Sequence, residues 1–346
     1  MWEVVGQDRA VSLLQRSLGK GVLAHAYLFV GPHHVGKMTL ALDLARAVNC
    51  EADESPCGQC VSCQKVASVR HADVQVIGLT SGEDLIRARP QAEIGIDKIR
   101  QMQHTASLPP FEGKYKVFII NGAEQLSTEA ANCLLKTLEE PVDRIVFILL
   151  TVNERLLPST VISRCQRLEL FPLASGEVEA ALNAHWGIEL QKAKLPARLC
   201  HGCLGWAVAA THDDGWLEQR VERVDSLLGI IDADYEERFA YAAKLGYQFG
   251  QNRGAVYEVL DLWLDYWRDL LLVKAGCSKA ITNVDLEAGL VHRADNYRLS
   301  QLKYVIESIR AAGEQLKQNA NPQLVLEMLM LGIPGKERLV RRSLAA

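Results

Sequence analysis

The chain has 346 residues, of which 49% are hydrophobic and 23% are charged, and its formal net charge at pH 7 is -4. This composition is typical of a globular protein with two or three domains and argues against a mainly disordered chain. The pI near 6.2 argues against a surface that binds nucleic acid throughout, so any DNA contact is expected to be confined to a local basic patch.

The N-terminal stretch MWEVVGQDRAVSLLQ does not resemble a signal peptide, because it carries Glu3 and Asp8 and lacks a basic segment followed by an apolar core. No apolar run approaches the roughly 18 residues of a membrane span. We therefore expect a cytoplasmic protein whose nine cysteines stay reduced and serve as metal ligands or core residues.

Helical and strand patterns alternate along the first half of the chain, beginning with a helix predicted over residues 9–18. Short apolar runs rich in branched residues predict four buried strands: 26–30, 74–79, 115–120 and 144–151. Strands that alternate with helices predict an α/β fold with a parallel sheet covered by helices on both faces.

The strand pattern stops after Phe171. Three short helices are predicted between residues 175 and 212, broken at Gly187 and around Gly202 and Gly205, and apolar spacings of three and four then predict a helical bundle. The predicted domains are a nucleotide-binding-type α/β domain, a three-helix lid and an all-α C-terminal domain: 1–170, 171–213 and 214–346.

The stretch GPHHVGKMT lies between a predicted strand and a predicted helix. Gly31, Gly36 and Lys37 have the spacing of a loop whose amides and lysine hold phosphates. A magnesium-binding loop has Ser or Thr after the lysine, whereas this chain has Met38, and Thr39 lies about 100° further around the helix. The loop is therefore predicted to suit phosphates and to hold magnesium poorly.

The strand that should end in a metal-orienting aspartate and a water-activating glutamate ends in Asn121 and Gly122 instead. Neither residue can act as a general base or as an anion beside a metal. Glu124 is the nearest carboxylate, and its position favours a role at a helix start. Nucleotide binding without turnover and an empty loop both remain open.

Four cysteines, Cys50, Cys57, Cys60 and Cys63, lie within fourteen residues of a polar, turn-rich segment. This spacing suits a closed tetrahedral zinc site that fastens a loop and catalyses nothing. The stretch CHGC at residues 200–203 offers only three candidate ligands and is interpreted as small residues in a tight turn.

Arg164 follows a serine in ISRCQRLEL, just past a predicted strand and loop. It is a solvated charge, a partner to a nearby carboxylate, or an arginine finger given to the nucleotide of a neighbouring subunit. The spacing alone does not decide among these roles.

Several of these segments together carry a family resemblance. GQDRAVSLLQRSL, HAYLFVGPHHVGK, YKVFIINGAEQLSTEAANCLLKTLEEP and TVISRCQRLEL resemble the AAA+ clamp-loader subunits of bacterial DNA polymerase III over roughly residues 2–170. The closing stretch QNANPQLVLEMLMLGIP is similar to the last helix of delta-prime subunits. The resemblance implies an AAA+ P-loop domain, a lid and a helical collar.

The departures from the family pattern are informative. ATP-hydrolysing tau/gamma subunits have Thr at the position of Met38, an Asp-Glu pair in place of Asn121 and Gly122, and an arginine sensor at the position aligned with Gly205. Their absence implies a delta-prime-type subunit that hydrolyses little ATP itself. The alternative is an active tau/gamma-like ATPase that uses Thr39 and Glu124 as substitutes.

The resemblance also implies roles and partners. Ser163, Arg164 and Cys165 match the family's Ser-Arg-Cys segment, whose arginine completes the ATP site of the adjacent subunit. The implied assembly is a pentameric ring with tau/gamma and delta subunits that loads a sliding clamp on primed DNA, with structural zinc in the insertion 50–63.

Two surfaces remain ambiguous in the sequence. Apolar stripes on residues 255–272, including Trp263 and Trp267, are either a collar contact or ordinary bundle core. A cluster of basic residues suits either template phosphates or a solvated face: Lys98, Arg100, Lys114 and Lys116.

Overall fold

The structure is a computed structural model that describes residues 1–79, 93–140, 142–212, 214–318 and 320–334. The chain divides into two compact units. The first comprises Met1–Ala181 and His201–Trp206, and the second comprises Leu182–Cys200 and Ala207–Ala346.

The first unit is built on a five-stranded parallel sheet with the order β2-β3-β4-β1-β5. Its strands are β1 (Ala26–Val30), β2 (Val74–Ile77), β3 (Lys116–Asn121), β4 (Ile145–Thr151) and β5 (Gln166–Glu169). Its helices are α1 (Asp8–Gly19), α2 (Lys37–Asn49), α3 (Val61–Ala67), α4 (Ile96–Ala106), α5 (Thr128–Glu139) and α6 (Ser159–Ile162). The predicted parallel α/β fold and its four strands are confirmed.

Strand β5 was not predicted, because only Leu168 of its four residues is buried and the segment therefore lacks an apolar run. It pairs with β1 at the edge of the sheet. The central strands follow the period-two rule, since Tyr27 and Phe29 pack in one apolar cluster and Leu28 packs in another. Helices thus cover both faces of the sheet, and the carboxyl ends of the strands meet at one edge.

The second part of the chain is helical. Its elements are α7 (Ser175–Trp186), α8 (Leu190–Leu199), α9 (Leu204–His212), α10 (Asp214–Asp232), α11 (Tyr235–Gln251), α12 (Arg253–Lys274), α13 (Glu287–Ala294), α14 (Leu299–Lys317) and α15 (Pro322–Gly332). The three short predicted helices and the helical C-terminal region are confirmed. The boundary between the two units falls within α7 and α9, so a separate lid over 171–213 stays a prediction.

Trp263 and Trp267 are both fully buried in the bundle formed by the second unit. The ring of Trp263 stacks on Tyr241 with 6.0 Å between ring centroids, and Trp267 meets the edge of Tyr297 at 5.3 Å. The interpretation of these tryptophans as bundle core is confirmed, and a collar contact through them is wrong. Helical spacing alone could not distinguish the buried face of α12 from an exposed one.

Among the described residues, no helix is both long enough and apolar enough to cross a membrane.

Candidate functional site

A cleft of about 440 Å³ lies in the first unit, at the carboxyl ends of β3 and β4. It is lined by residues of the glycine loop and α2, by the end of β3, and by one residue of α9: Gly36, Lys37, Met38, Thr39, Asn121, Gly122 and Gly205. Crevices at the carboxyl ends of parallel strands are where open α/β sheets bind ligands. The structure therefore brings together the residues that the sequence singled out around the loop.

Both loop glycines are required by geometry. Gly36 has a φ of +107°, a conformation that side chains rarely adopt. A Cβ atom on Gly31 would lie 2.7 Å from the carbonyl oxygen of Leu170, so only glycine lets β1 run into the loop at this point. The phosphate-loop shape is retained.

The lysine of the loop is engaged with the loop itself. The Lys37 Nζ donates hydrogen bonds to the carbonyl oxygens of Gly31 and Pro32, each at 2.6 Å, and the residue is only 8% exposed. Burial lowers the pKa of Lys37 to about 8, although the nearby Glu124 carboxylate opposes the shift. A phosphate would have to compete with two backbone carbonyls for this ammonium group.

The side of the cleft where a phosphate loop normally holds magnesium is lined by Met38 and Thr39. The Met38 side chain lines the cleft and also packs against the apolar cluster beside α2. Thr39 lines the same cleft, so a hydroxyl is present one residue later than in a magnesium-binding loop. A thioether has little affinity for a hard cation, so the position after Lys37 does not supply magnesium chemistry.

The end of β3 lacks catalytic carboxylates, and its backbone resists their insertion. Gly122 has a φ of +79°, and a Cβ atom there would lie 2.5 Å from the Gln125 side-chain oxygen. Glu124 lies in the short helical turn Ala123–Gln125 and also lines the cleft, where its Oε2 is buried and accepts no hydrogen bond from the described residues. Its predicted position at a helix start is confirmed, and the fold in addition brings the residue to the wall of the cleft.

Gly205 closes the loop from the side of α9. Its N–H donates to the carbonyl oxygen of His34 across 2.9 Å. A Cβ atom on Gly205 would also lie 2.9 Å from that oxygen, which is tighter than side chains normally tolerate. The position aligned with the sensor arginine thus has no room for a long side chain without movement of the backbone.

Arg164 lies outside this cleft. Its Nη2 donates to Glu139 Oε1 at 2.6 Å and its Nη1 donates to the Thr160 carbonyl at 2.8 Å, while about a third of the side chain stays exposed. Burial raises the pKa of the neighbouring Cys165 thiol to about 12, so this thiol is unreactive. Within the predicted Ser-Arg-Cys trio, the arginine alone presents a charged group at the surface.

Glu139, the partner of Arg164, carries no signal in the sequence that indicates this contact. It lies at the end of α5 in the stretch LLKTLEEP, and its contact with Arg164 spans 25 positions. A long-range pair of this kind leaves no trace in local spacing, so only the folded chain reveals it.

The four predicted cysteine ligands come together around α3. Their sulfur atoms all lie within 4.8 Å of one another, and the Sγ atoms of Cys57 and Cys63 are 4.0 Å apart. A regular tetrahedron with zinc–sulfur bonds of about 2.3 Å requires sulfur separations of about 3.8 Å. The donor set and the geometry therefore fit a metal ion.

Backbone amides support the same cluster. N–H groups of Cys57, Cys60 and Cys63 point to cysteine sulfurs at 3.3–3.4 Å. Hydrogen bonds from the backbone lower the pKa of Cys57 to about 6, while burial raises that of Cys63 to about 12. The stretch CHGC forms a turn between α8 and α9, in which His201 and Gly202 have positive φ, as its interpretation as a tight turn predicts.

The candidate basic patch is not a continuous surface. Lys116 is buried and donates to the Thr105 carbonyl, Lys114 donates to the Cys50 carbonyl, and Lys98 donates to the Gly78 carbonyl. Arg100 faces Asp97 on the exposed side of α4. Lys116 is therefore internal, whereas Lys114 and Arg100 are exposed, so a contact with template phosphates and a solvated face both stay predictions for the exposed members of this group.

Two family models match the chain. The model described as DNA polymerase III, delta subunit, matches residues 6–174, and the one described as DNA polymerase III, delta subunit, C terminal, matches residues 248–334, so together they match more than half of the chain.

Among similar proteins, the DNA polymerase III subunit delta' of Bacillus subtilis is 29% identical over 94% of this chain and 95% of its own length. The tau subunits of Bacillus subtilis and Escherichia coli are 28% and 32% identical over 96% and 67% of this chain. The chain spans only 61% and 36% of the length of those tau subunits. Among solved structures, a gamma subunit-related protein from Thermotoga maritima has 16% identity and a TM-score of 0.45, with 93% of this chain and 97% of that chain covered.

Proposed function

This chain belongs to the DNA polymerase III delta-subunit family, and from that membership we propose that it works as a delta'-type subunit of a clamp loader. In this role it joins tau/gamma and delta subunits in a ring that loads a sliding clamp on primed DNA. The residues of the cleft support this role over that of a tau-type ATPase, because Met38, Asn121 and Gly122 lack the groups that hold magnesium and activate water.

The proposed subunit hydrolyses little or no ATP in its own cleft. The observation that carries this proposal is the Lys37 ammonium group, which is bound to the carbonyl oxygens of Gly31 and Pro32. Met38 removes the hydroxyl ligand for magnesium, and Asn121 and Gly122 supply no base. ATP binding without turnover remains compatible with this cleft.

Arg164 is the residue proposed to act on a neighbour's nucleotide. Its guanidinium is exposed enough to be withdrawn from Glu139, and surface ion pairs of this kind are worth only about 0–1 kcal/mol. An arginine supplied in trans stabilises charge on the transferred phosphoryl group and can raise the rate by about 10³–10⁵. Glu139 would thus hold the arginine in place until a nucleotide of the adjacent subunit replaces it.

The cysteine cluster is proposed to hold zinc in a structural role. Four thiolate ligands complete a tetrahedral site and leave no position for a substrate or an activated water. The ion would join Cys50 and Cys57 in the loop to Cys60 and Cys63 at the start of α3. Replacement of the ion by cobalt tests the assignment, because a tetrahedral thiolate site gives intense visible absorption. Metal analysis of two variants is a second test. Loss of one ion per chain in Cys57→Ser, but not in Cys277→Ser, would support the zinc assignment.

The surface proposed for the collar is on α15, not α12. Leu324, Met328 and Leu331 are exposed at spacings of four and three on one face of this helix, whereas Val325, Leu326 and Leu329 of the same helix are buried. An exposed group of large apolar side chains on one helix is typical of a surface that contacts another protein. We assign its exposed face to the helical domain of a neighbouring clamp-loader subunit.

An active tau/gamma-like ATPase is the second candidate, because Thr39 and Glu124 both line the cleft and the Glu124 Oε2 accepts no hydrogen bond from the described residues. The deciding experiment compares magnesium-dependent ATP hydrolysis by the isolated chain and by the reconstituted loader carrying Arg164→Ala, with Arg155→Ala as the matched control. We expect a silent isolated chain and a loader that loses most of its turnover only with Arg164→Ala. Hydrolysis by the isolated chain that Glu124→Gln abolishes would establish the second candidate.

A further inference from the structure

The segment Ser107–Gly113 connects α4 to β3 and is called here the Phe111 loop. Phe111 is 86% exposed, and Leu108 in the same loop is also exposed. Because the phenylalanine ring buries almost no surface, hydrophobic burial does not fix this loop in one conformation. Polar contacts from other parts of the first unit must hold it.

Asp73, which is buried just before β2, makes the largest set of these contacts. Its carboxylate accepts hydrogen bonds from the N–H groups of Phe111, Glu112 and Gly113 at 2.7, 2.8 and 2.7 Å. Hydrogen bonds to a charged acceptor are among the stronger ones in proteins. Asp73 is therefore a positioning residue for the backbone of the Phe111 loop.

The cysteine segment, residues 50–67, reaches the same loop from two sides. Lys65 on α3 pairs with Glu112, whose other carboxylate oxygen accepts the N–H of Ala72. On the other side, the Lys114 ammonium group donates to the Cys50 carbonyl at 2.6 Å. The two contacts thus attach the C-terminal end of the Phe111 loop, at Glu112 and at the adjoining Lys114, to the segment that carries the four thiols.

The start of α3 depends on the cysteine cluster. Cys60 caps this helix, and its sulfur accepts the N–H of Cys63. A helix of seven residues is unstable by itself in water, so its position must come from its attachments. Val66 of α3 packs in the apolar cluster of the first unit and anchors the end of the helix. Loss of a metal ion from the four sulfurs would therefore release the first turn of α3 and weaken the contact of Lys65 with Glu112.

We propose that the cysteine segment is a metal-dependent buttress that keeps the Phe111 loop ordered. The proposal rests on the metal assigned above to the four cysteines, and it gives that metal an effect beyond its own loop. The alternative is that Asp73 holds the loop whether or not the cysteine segment is folded.

Hydrogen exchange tests the proposal on the 346-residue chain with its thiols kept reduced. Exchange is compared between the metal-loaded form and the form stripped by a chelator, and the metal content of each sample is measured. In the stripped form we expect the amides of Phe111, Glu112 and Gly113 to exchange at least about tenfold faster, while that of Ile148 in β4 is unchanged. Equal exchange in both forms, with the metal shown to be lost, would overturn the proposal.

A second test leaves every thiol in place. The double variant Lys65→Met/Lys114→Met removes the two links, and we expect a several-fold faster exchange of the same three amides at unchanged metal content. Lys192→Met, at an exposed lysine far along the chain in α8, is the control. If the protein binds no metal at all, the assignment of the cysteines as metal ligands is wrong. The double variant then tests by itself whether the cysteine segment orders the Phe111 loop, and unchanged exchange of the three amides would reject that role.

Discussion

The backbone N–H of Gly205 donates to the carbonyl oxygen of His34 across 2.9 Å, so the start of α9 lies directly on the glycine loop. The contact also leaves no space for a side chain at this position, since a Cβ atom at position 205 would be 2.9 Å from the same oxygen.

The first prediction concerns this contact. Gly205→Ala should destabilise the first unit by about 1–3 kcal/mol, because the added methyl group forces the backbone of α9 and the loop apart. Thermal unfolding measures the effect. Gly176→Ala in α7, where a Cβ atom meets nothing within 4 Å, is the control and should be neutral or slightly stabilising. Equal melting temperatures for the two variants would show that the contact is not tight.

A second prediction concerns repair of the cleft. Met38→Thr combined with Asn121→Asp should give magnesium-dependent nucleotide binding, because a hydroxyl and a carboxylate then face the metal position, but no hydrolysis. Adding Gly122→Glu should lower stability, since the φ of +79° is unfavourable for a side chain. Titration with a fluorescent nucleotide measures nucleotide binding, and phosphate release measures hydrolysis. Turnover by the double variant would mean that Glu124 can act as the base.

The third prediction separates the two partners of the surface pair. Glu139→Gln should leave ATP turnover of the reconstituted loader unchanged or raise it by up to about fivefold, because the pair that restrains Arg164 is worth at most about 1 kcal/mol. Arg164→Lys should lower turnover, since lysine lacks the planar fork of donors. If Glu139→Gln reduced turnover as strongly as Arg164→Lys, the pair itself would be the functional unit.

A fourth prediction distinguishes core from interface in the second unit. Trp267→Ala should cost about 3–5 kcal/mol, because it removes a large side chain from the centre of the bundle. Met328→Gln with Leu331→Gln should keep the melting temperature and weaken association with tau/gamma and delta subunits. Calorimetry and gel filtration of the mixed subunits measure these effects; unchanged association would remove α15 from the interface.

The fifth prediction concerns pH. Burial would raise the pKa of Asp73, but hydrogen bonds from Phe111, Glu112 and Gly113 outweigh it and leave the pKa below the ordinary value of 3.8. The carboxylate therefore stabilises the Phe111 loop above pH 3.8, and this contribution is lost as the pH falls through the lower folded-state pKa. Amide protection in the loop, corrected for intrinsic exchange, should decline in that range. Asp73→Asn should show weaker protection that no longer depends on pH there.

The sequence by itself determined the features that depend on near neighbours. Branched apolar runs specify four of the five strands, a glycine spacing specifies the loop, and cysteines a few residues apart specify the cluster, because each feature is built within one short segment. Residue types alone also removed the magnesium ligand at Met38 and the base at Gly122.

Only the tertiary structure decided which groups meet across the chain. In the folded chain, the Lys37 ammonium group donates to a carbonyl of the glycine loop, and the Gly205 N–H donates to the carbonyl of His34. The tertiary structure also buried the two tryptophans of α12 and Lys116, one of the four residues of the candidate basic patch. Helical periodicity shows that a helix has an apolar face, but the neighbours that pack against that face determine whether it is buried. Long-range packing of this kind has no signature in local spacing.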